Sequence, residues 1–330
     1  MKKLIGLPVL ALWALLTAGC ATTVPVTVTR PGELDLRGAK SISVLPFRLS
    51  TAKDERGSSS KGTTIIIDIG RFFDSLAGDN SEERRAANFL TDQLTQKLTN
   101  SQYVQLVNSS AVQSALENGT AVPADAYLTG GFTLFDSHME TTHRTETDSA
   151  GNEYNAAYYK KTVSASITYQ IIDTKTNQII AYKSTDVTNS SDEKKDNRQL
   201  PKDFDIIRPD LERLSDQIMK ELQPYEERMY ISLLSDKTKD PDMKIADEMA
   251  KKGLIKQSEE KFMSIYTQRN LFVAGYNAAK LLQAQGELYK ARDMMERLVN
   301  KFGDKRAMTA LSNIDYEIAQ SEKLQRQTTN

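Results

Sequence analysis

Cys20 carries the only thiol in this sequence, and its position indicates what chemistry it undergoes. It is the only cysteine among 330 residues, so it has no disulfide partner within the chain. Before it come a positively charged start, an apolar run from Leu4 to Leu16, and the small residues Thr17-Ala18-Gly19. This order is typical of a secretory signal that is cleaved after small residues. We therefore predict cleavage of residues 1–19 and a mature chain that begins with Cys20.

Two histidines and many carboxylates are the remaining groups that could bind a metal ion or transfer protons. His138 and His143 lie five positions apart in a polar stretch, with no second cluster of Cys, His or acidic residues beside them. Zinc sites use three or four such ligands, so we expect two solvated loop residues, no metal and no cofactor other than a covalent lipid.

The motifs of common enzyme active sites are also missing. The sequence has no Gly-rich phosphate loop, no G-x-S-x-G and no H-E-x-x-H. We therefore predict a protein without catalysis of its own. An enzyme that acts on envelope polymers stays as an alternative, and turnover of purified peptidoglycan or glycans would reveal it.

The charge balance argues against one class of partner. Lysine and arginine together number 43, and aspartate and glutamate 44, which gives a net charge of −1. Nucleic-acid binding needs a basic chain. No later segment is apolar over the roughly 20 residues that a membrane-spanning helix requires. The length of 330 residues suffices for two modest domains.

Strand and helix patterns predict an α/β (α+β) layered domain at residues 38–224, with a mixed sheet and flanking helices. Residues 20–37, in which valines alternate with threonines, are predicted to be a lipidated, extended tether. The polar segments 137–157 and 188–205 are predicted to be loops. We expect strands at residues 41–47, 103–107, 125–136, 163–171 and 179–187, and helices from Ser81, at 111–116 after a Ser109 cap, and at 209–222 with Pro209 in the first turn.

Residues 225–330 are predicted to be all-helical and repetitive. Gly253 and Gly286 are 33 positions apart (286 − 253), and the same offset relates Ala246 to Ala279. This spacing resembles that of tetratricopeptide repeats, whose period is about 34 residues. The second copy carries the family's pattern best, with Tyr276-Asn277-x-Ala279, then Gly286-Glu287, but without the family's tryptophan. The helix from Lys305 would cap the array, and a plain helical bundle is the alternative.

The tetratricopeptide resemblance implies a concave groove that binds a partner. The residues that it places in the groove are Met243, Asp247, Tyr276, Lys280 and Gln283. Mixed charge with one aromatic ring suits a peptide or protein partner. The alternative is that these side chains are ordinary exposed surface.

The first domain resembles the CsgG-type fold, which is shared by the curli secretion channel lipoprotein, lipoprotein activators of penicillin-binding proteins and the N-terminal domain of TolB. The resemblance rests on Lys40–Val44, on Ala126–Gly131 and on the hairpin from Ile171 to Ile180. In the channel, two insertions form transmembrane hairpins. The equivalent segments here, near 137–160 and 188–205, carry many charges, and each Lys or Arg at the bilayer midplane costs about 2–4 kcal/mol. We therefore expect the fold without the pore.

The segment Thr17-Ala18-Gly19-Cys20 resembles the lipobox of bacterial lipoproteins, although leucine is commoner than threonine at its first position. The resemblance implies acylation of Cys20, and Ala21 in place of aspartate implies the outer membrane, facing the periplasm. An ordinary secretory signal with a free cysteine is the alternative.

Together these features predict a non-enzymatic, lipid-anchored adaptor or regulator that binds a protein partner in the cell envelope. A subunit of a curli-type secretion or assembly complex, without its own transmembrane barrel, is the alternative, and ring-shaped oligomers would favour it. The sequence leaves the oligomeric state open.

Overall fold

The computed structural model describes residues 22–36, 38–49 and 81–329, so the predicted signal peptide and Cys20 lie outside the described residues. The chain divides into two compact units. The sheet unit comprises Pro31–Tyr225 and Leu324–Asn330, and the helical unit comprises Met1–Arg30 and Glu226–Lys323. The helical unit is therefore assembled from two segments that are distant in sequence.

The described secondary structure is mixed, and the C-terminal region is helical, as predicted. The strands are β1 (Thr23–Arg30), β2 (Ser41–Val44), β3 (Gln105–Leu106), β4 (Ala126–Thr147), β5 (Glu153–Asp173), β6 (Ile179–Ser190) and β7 (Tyr225–Ser232). The α-helices are α1 (Ser81–Thr99), α2 (Ser109–Asn118), α3 (Asp203–Leu222), α4 (Pro241–Lys251), α5 (Ile255–Arg269), α6 (Phe272–Ala284), α7 (Leu288–Phe302) and α8 (Lys305–Thr328).

The sheet unit is built on a mixed sheet in the strand order β3-β2-β4-β5-β6, which confirms the predicted sheet type. Strand β2 is parallel to β3 and β4, whereas β4 with β5 and β5 with β6 are antiparallel. Asn177, in the turn between β5 and β6, adopts a φ of 55°, which asparagine tolerates better than most residues.

Helices cover both faces of this sheet. Leu90 and Leu94 of α1 and Leu211 of α3 are fully buried in one core with Ile171 of β5. The residue after Ile171 belongs to a second cluster: Ile172 packs with Tyr127 of β4 and with Val112 of α2. Because neighbouring residues of a strand point to opposite faces, α2 covers the face opposite to α1 and α3.

The ends of two helices differ from the prediction. Asn108, rather than Ser109, caps α2, since its Oδ1 accepts hydrogen bonds from the amides of Ser110 at 2.9 Å and Ala111 at 3.2 Å. Helix α3 begins at Asp203, so that Pro209 lies inside the helix and not in its first turn. Proline lacks the amide that a helix interior uses. The extra turn buries Phe204 and Ile207, and this burial offsets the lost hydrogen bond.

The two segments predicted as loops contain regular structure. Residues 137–157 lie mostly in strands, because β4 continues to Thr147 and β5 begins at Glu153, with continuous antiparallel pairing between them. Threonine and tyrosine, which are frequent here, favour strands even when both faces are exposed. In the second segment β6 continues to Ser190, a 3₁₀ turn spans Asn197–Gln199, and α3 starts at Asp203.

The helical unit contains two consecutive helix pairs, α4 with α5 and α6 with α7. Gly253 ends the first helix of one pair and Gly286 that of the other, and both have a φ of 77°, in the left-handed region that glycine adopts without strain. The 33-residue offset in the sequence therefore corresponds to two turns of the same backbone shape.

Strand β1 is part of this unit and not the free tether that we expected. It pairs with β7 in a two-stranded sheet, which we call the ribbon. Val24 of β1 is 2 % exposed and lies in one core with Ile231 of β7 and with Ala246 and Ala278 of the helices. Both strands of the ribbon therefore contribute to the core of the helical unit.

Candidate functional site

The residues expected to line a binding groove are largely withdrawn from solvent. Met243 is 2 % exposed, and Lys280 and Gln283 are each 8 % exposed. Tyr276 is half-buried, and the carboxylate of Asp247 pairs with Lys251 Nζ at 2.7 Å. Binding of a partner by this set stays a prediction, but little of the set is available on the surface of the folded unit.

Met243 is buried because the ribbon and the segment after it pack against α4, whereas Tyr276 packs against a cluster that contains Leu298 of α7 and Ile314 of α8. Met243 of α4 shares its core with Leu233, the residue after β7, and with Leu281 of α6. The buried side chain of Asn277 holds the next residue by its main chain: Oδ1 accepts from the amide of Leu234 at 2.7 Å, and Nδ2 donates to the carbonyl of Leu234 at 2.9 Å. An extended segment of this chain thus packs against the part of α4 and α6 that carries Met243 and Asn277.

Buried charges lie in the same unit. Arg30 of β1 is 8 % exposed and pairs with Glu227 of β7 and Glu317 of α8. Lys280 donates a hydrogen bond from Nζ to Oε1 of Gln283, and burial lowers the pKa of its ammonium group. Of the residues predicted to line a groove, Asp247, Lys280 and Gln283 therefore have intramolecular partners in the fold.

Strands β4 and β5 continue beyond the rest of the sheet as a two-stranded extension, which we call the arm. It comprises residues 138–162, from the pair His138–Thr162 to the pair Thr147–Glu153. Strand β6 stops pairing at Thr162, so β5 loses this neighbour at the base of the arm. Ten residues of strand give the arm a length of about 33 Å. On β4, all residues from Asp136 to Thr145 are exposed.

The turn at the tip of the arm is ordered by one carboxylate. Asp148 Oδ1 accepts hydrogen bonds from the amides of Ala150 and Asn152, both at 2.9 Å, and these bonds hold the pKa of Asp148 below its ordinary value. Gly151 has a φ of 86°, which most other residues reach only with strain. The tip is therefore a defined turn.

The segment after β6 braces one side of the arm. The amide of Tyr159 donates to the carbonyl of Lys194 at 2.8 Å, and the amide of Lys194 donates back to the carbonyl of Tyr159 at 2.9 Å. Arg144 pairs with Glu193 at 2.5 Å. A two-stranded hairpin alone is marginally stable in water, so these contacts help to hold the arm in one geometry.

A second group of contacts centres on Glu146, near the tip. Its carboxylate accepts hydrogen bonds from Lys195, from the hydroxyl of Tyr158, and from the hydroxyl of Tyr154 at 2.6 Å. The hydrogen bonds from Lys195 and Tyr154 lower the pKa of Glu146. The guanidinium of Arg144 lies over the ring of Tyr158, 4.9 Å from its centroid.

The strands of the arm were not predicted from the sequence, because apolar and polar residues alternate only weakly along them. A usable signal was present, since threonine- and tyrosine-rich runs of similar length flank the turn-forming residues Asp148 to Asn152. Both histidines lie on the arm. His138 and His143 differ by an odd number of positions on β4, so they point to opposite faces and do not converge on one ion. Within the described ranges, no group of three or more Cys, His, Asp or Glu is placed to hold a metal.

Cys20, the predicted acylation site, lies outside the described residues, which begin at Thr22. Thr22 is 6 % exposed, and its carbonyl accepts a hydrogen bond from the amide of Leu233 at 2.8 Å. Among the helices that the structure describes, none has the length and apolar character to cross a bilayer.

No protein-family model matches this chain, and no curated protein matches it either. Solved structures with partial similarity include a PelC dodecamer from Paraburkholderia phytofirmans, at 12% identity and a TM-score of 0.27 over 60% of this chain and 97% of that one. A neuraminyllactose-binding hemagglutinin homolog from Helicobacter pylori has 12% identity and a TM-score of 0.28, over 56% of this chain and 83% of that one. Lipoprotein GNA1162 from Neisseria meningitidis has 10% identity and a TM-score of 0.20, over 55% of this chain and 96% of that one. At these TM-scores the similarities assign neither a family nor a function.

Proposed function

We propose that this chain is a non-enzymatic, lipid-anchored envelope protein that binds a protein partner through the arm. The observation that carries the proposal is the arm itself, a pair of strands that extends beyond the sheet, exposes the side chains of its β4 strand and is braced near the tip. An element held in one geometry loses less conformational entropy on binding than a flexible loop does.

The chemistry of the arm suits a protein partner. Met139 and Tyr154 are 46 % and 45 % exposed and provide apolar contact area. Lys, Arg and Glu side chains surround them, as is usual at the rim of an interface. Beyond the bridge between Arg48 and Gly131, no described residue pairs with the outer edge of β4. Main-chain groups along this edge can therefore accept an added strand.

The proposal includes an acylated Cys20, an outer-membrane location facing the periplasm, a CsgG-like sheet unit and a tetratricopeptide-like helical unit. Its support is the lipobox-like sequence, the order of strands and helices, and the equivalent turns at Gly253 and Gly286. The arm includes most of the segment near 137–160, which the resemblance to the CsgG-type fold equates with one membrane hairpin of the channel. Its exposed His, Arg, Lys and Glu side chains suit water and not hydrocarbon.

A second candidate is a subunit of an envelope assembly whose copies associate through their arms. The outer edge of β4 favours it, because an exposed strand edge can pair with an equivalent edge of another copy. Mass measurement of the detergent-solubilised protein by native mass spectrometry separates the two: arm-dependent oligomers support the assembly subunit, and a monomer supports the adaptor.

The test of the adaptor uses two methionines of equal exposure. Met139 on the arm and Met308 on α8 are each 46 % exposed. A photoreactive residue replaces one or the other in cells, and mass spectrometry identifies the crosslinked proteins. We expect one dominant envelope protein from position 139, none from position 308, and loss of the product in a Cys20→Ala chain. Equal products at both positions, or none at position 139, would overturn the proposal. Crosslinks between copies at position 139 would support the second candidate.

A further inference from the structure

Thr22, the first described residue, follows the predicted acylation site Cys20 by two positions. The surface of the helical unit around Thr22 therefore lies close to the proposed lipid anchor. Thr22 is buried and its main chain is hydrogen-bonded to Leu233. Only Ala21 lies between Thr22 and Cys20, and two residues of chain cover at most about 7 Å, so Cys20 lies no farther than this from Thr22. If Cys20 is acylated, as the proposed function requires, the surface around Thr22 is held at the membrane and not on a long tether.

Three lysines distinguish this surface. Lys239 and Lys244 line a cavity of about 450 Å³ together with Thr22, and Lys237 lies in the same loop before α4. All three lysines are exposed, and none forms an ion pair with another described residue within 4.0 Å. Their ammonium groups are therefore available to an anionic ligand.

The nearby carboxylates are engaged elsewhere. Asp236 accepts from the amide of Thr238 at 2.9 Å and from the amide of Asp240 at 3.0 Å. Asp240 caps α4 and pairs with Arg269, and Asp242 pairs with Lys261 at 2.7 Å. Lys261 and Arg269 neutralise Asp240 and Asp242, and main-chain amides hold the carboxylate of Asp236. Three lysines against the one charge of Asp236 leave a net positive charge at this end of the unit.

The backbone of Lys239 provides a second observation. Its φ is 58°, in the left-handed region where a lysine is strained and a glycine is not. Strain of this kind is retained where the side chain has a use. The hydrogen bonds of Asp236 on both sides of Lys239 hold the loop in this conformation.

We propose that Lys237, Lys239 and Lys244 form a basic patch that binds anionic phospholipid headgroups beside the acylated N-terminus. Electrostatic attraction to a lipid surface falls off within a Debye length of about 8–10 Å. The span from Cys20 to Thr22 is of this size, so the anchor keeps the patch within range of the phosphates. Each lysine close to an anionic surface increases binding about fivefold at low salt.

The first test measures position. The acylated protein is reconstituted into vesicles of phosphatidylcholine and phosphatidylglycerol that contain a headgroup nitroxide quencher. Acylation blocks Cys20, so a fluorophore on Ser235→Cys or on Lys252→Cys is the only thiol label. Ser235 lines the cavity, whereas Lys252 follows the far end of α4, roughly 16 Å away along the helix. We expect stronger quenching at position 235; equal quenching, or stronger quenching at 252, would overturn the proposal.

The second test measures the effects of the lysine charges and of the strained backbone on vesicle binding, in a chain without the acyl anchor. A full-length mature chain carrying Cys20→Ser is sedimented with the same vesicles lacking the quencher. Lys237→Gln with Lys239→Gln should weaken binding roughly 25-fold, whereas Lys252→Gln with Lys256→Gln should leave it unchanged. Lys239→Gly should weaken binding about fivefold while the melting temperature stays equal or rises. Equal binding to vesicles of phosphatidylcholine alone would contradict the proposal.

The two proposals fail in different ways. The mass of the mature protein shows whether Cys20 is acylated. An unmodified Cys20 removes the anchor, and with it the proposed function, whereas the basic patch can still bind vesicles in the second test. An acylated Cys20 with no preference in either test would refute the patch and leave the anchor intact.

Discussion

The guanidinium of Arg30 holds the carboxylate of Glu317 by two parallel hydrogen bonds, Nη1 to Oε2 at 2.6 Å and Nη2 to Oε1 at 3.0 Å. The side chains are only 10 % and 12 % exposed. Nε of Arg30 donates to Glu227 Oε2 at 2.7 Å, so one side chain connects β1, β7 and α8. The hydrogen bond with Glu317 is the main reason why the pKa of Arg30 lies above its ordinary value. The ribbon is thus fixed by charge as well as by apolar packing.

Arg30→Met should destabilise the protein by about 3–5 kcal/mol, because it leaves the carboxylate of Glu317 buried without its partner. Urea unfolding followed by circular dichroism measures the change. The double variant with Glu317→Met should recover much of the loss, since two apolar side chains of suitable size replace the pair. If Arg30→Met alone stays within about 1 kcal/mol of the native chain, the pair contributes little.

The Lys280→Met variant should have a free energy of unfolding at neutral pH that equals or exceeds that of the native chain. The substitution removes a buried ammonium group whose pKa is lowered by burial. A lysine with a lowered pKa binds fewer protons when folded than when unfolded. The native chain should therefore gain stability as pH rises from the lowered pKa towards the ordinary value of 10.5.

The measurement is unfolding by denaturant at several alkaline pH values, on both chains. The variant should lack the part of the pH dependence that Lys280 causes. Lys280→Glu, which also leaves a charge at the buried position, should be less stable than Lys280→Met. A large loss of stability in Lys280→Met would indicate that the hydrogen bond to Gln283 outweighs the cost of burying the charge.

Gly130→Ala should destabilise the sheet unit by about 1–3 kcal/mol. A Cβ at this position would lie 2.5 Å from the carbonyl oxygen of Thr168 and 2.6 Å from Cε1 of Phe47. The carbonyl belongs to the paired strand β5 and has little room to move. Ser184→Ala, on the exposed face of β6, is the control and should change the thermal midpoint little. Equal midpoints for the two variants would show that the sheet adjusts to the methyl group.

Asp125→Asn should lower the free energy of unfolding at neutral pH but not in acid. The carboxylate pairs with Lys175 and accepts hydrogen bonds from the hydroxyl and amide of Ser41, and these contacts lower its pKa well below the ordinary value of 3.8. A carboxyl group with a lowered pKa stabilises the folded state above the unfolded pKa, and this contribution is lost as pH falls through the folded pKa. The difference between the two chains, measured by urea unfolding, should therefore shrink below about pH 3.8. If the difference in the free energy of unfolding between the two chains does not change with pH, ionisation of Asp125 is not its cause.

Local signals were enough to predict the mixed sheet and the helical C-terminal region. Helix α1 illustrates why: Ser81 begins it, Glu82 and Glu83 occupy its first turn, and Leu90 and Leu94 fall on the buried stripe. The apolar spacing of a helix that packs on a sheet is visible within a few turns of sequence.

The arm and the ribbon could not be predicted in the same way. Alternation reveals a strand when one face is buried, and the β4 residues of the arm are exposed on both faces. Strand β1 is paired only with β7 among the described strands, and β7 lies almost two hundred positions later in the sequence. Lys280 and Gln283 were predicted to lie on the surface because nothing near them in the sequence shows that they are buried in the fold.

The discontinuous helical unit imposes an order of events on the folding of the chain. Strand β1 emerges first, but Arg30 and its partner Glu227 are 197 positions apart. Contacts between such distant positions form slowly, because the intervening loop must close first. Strand β1 therefore stays unpaired until the chain as far as β7 has been made. Strand β1 is made early and is then among the last elements to fold, so truncation before residue 225 would leave it without its partner strand.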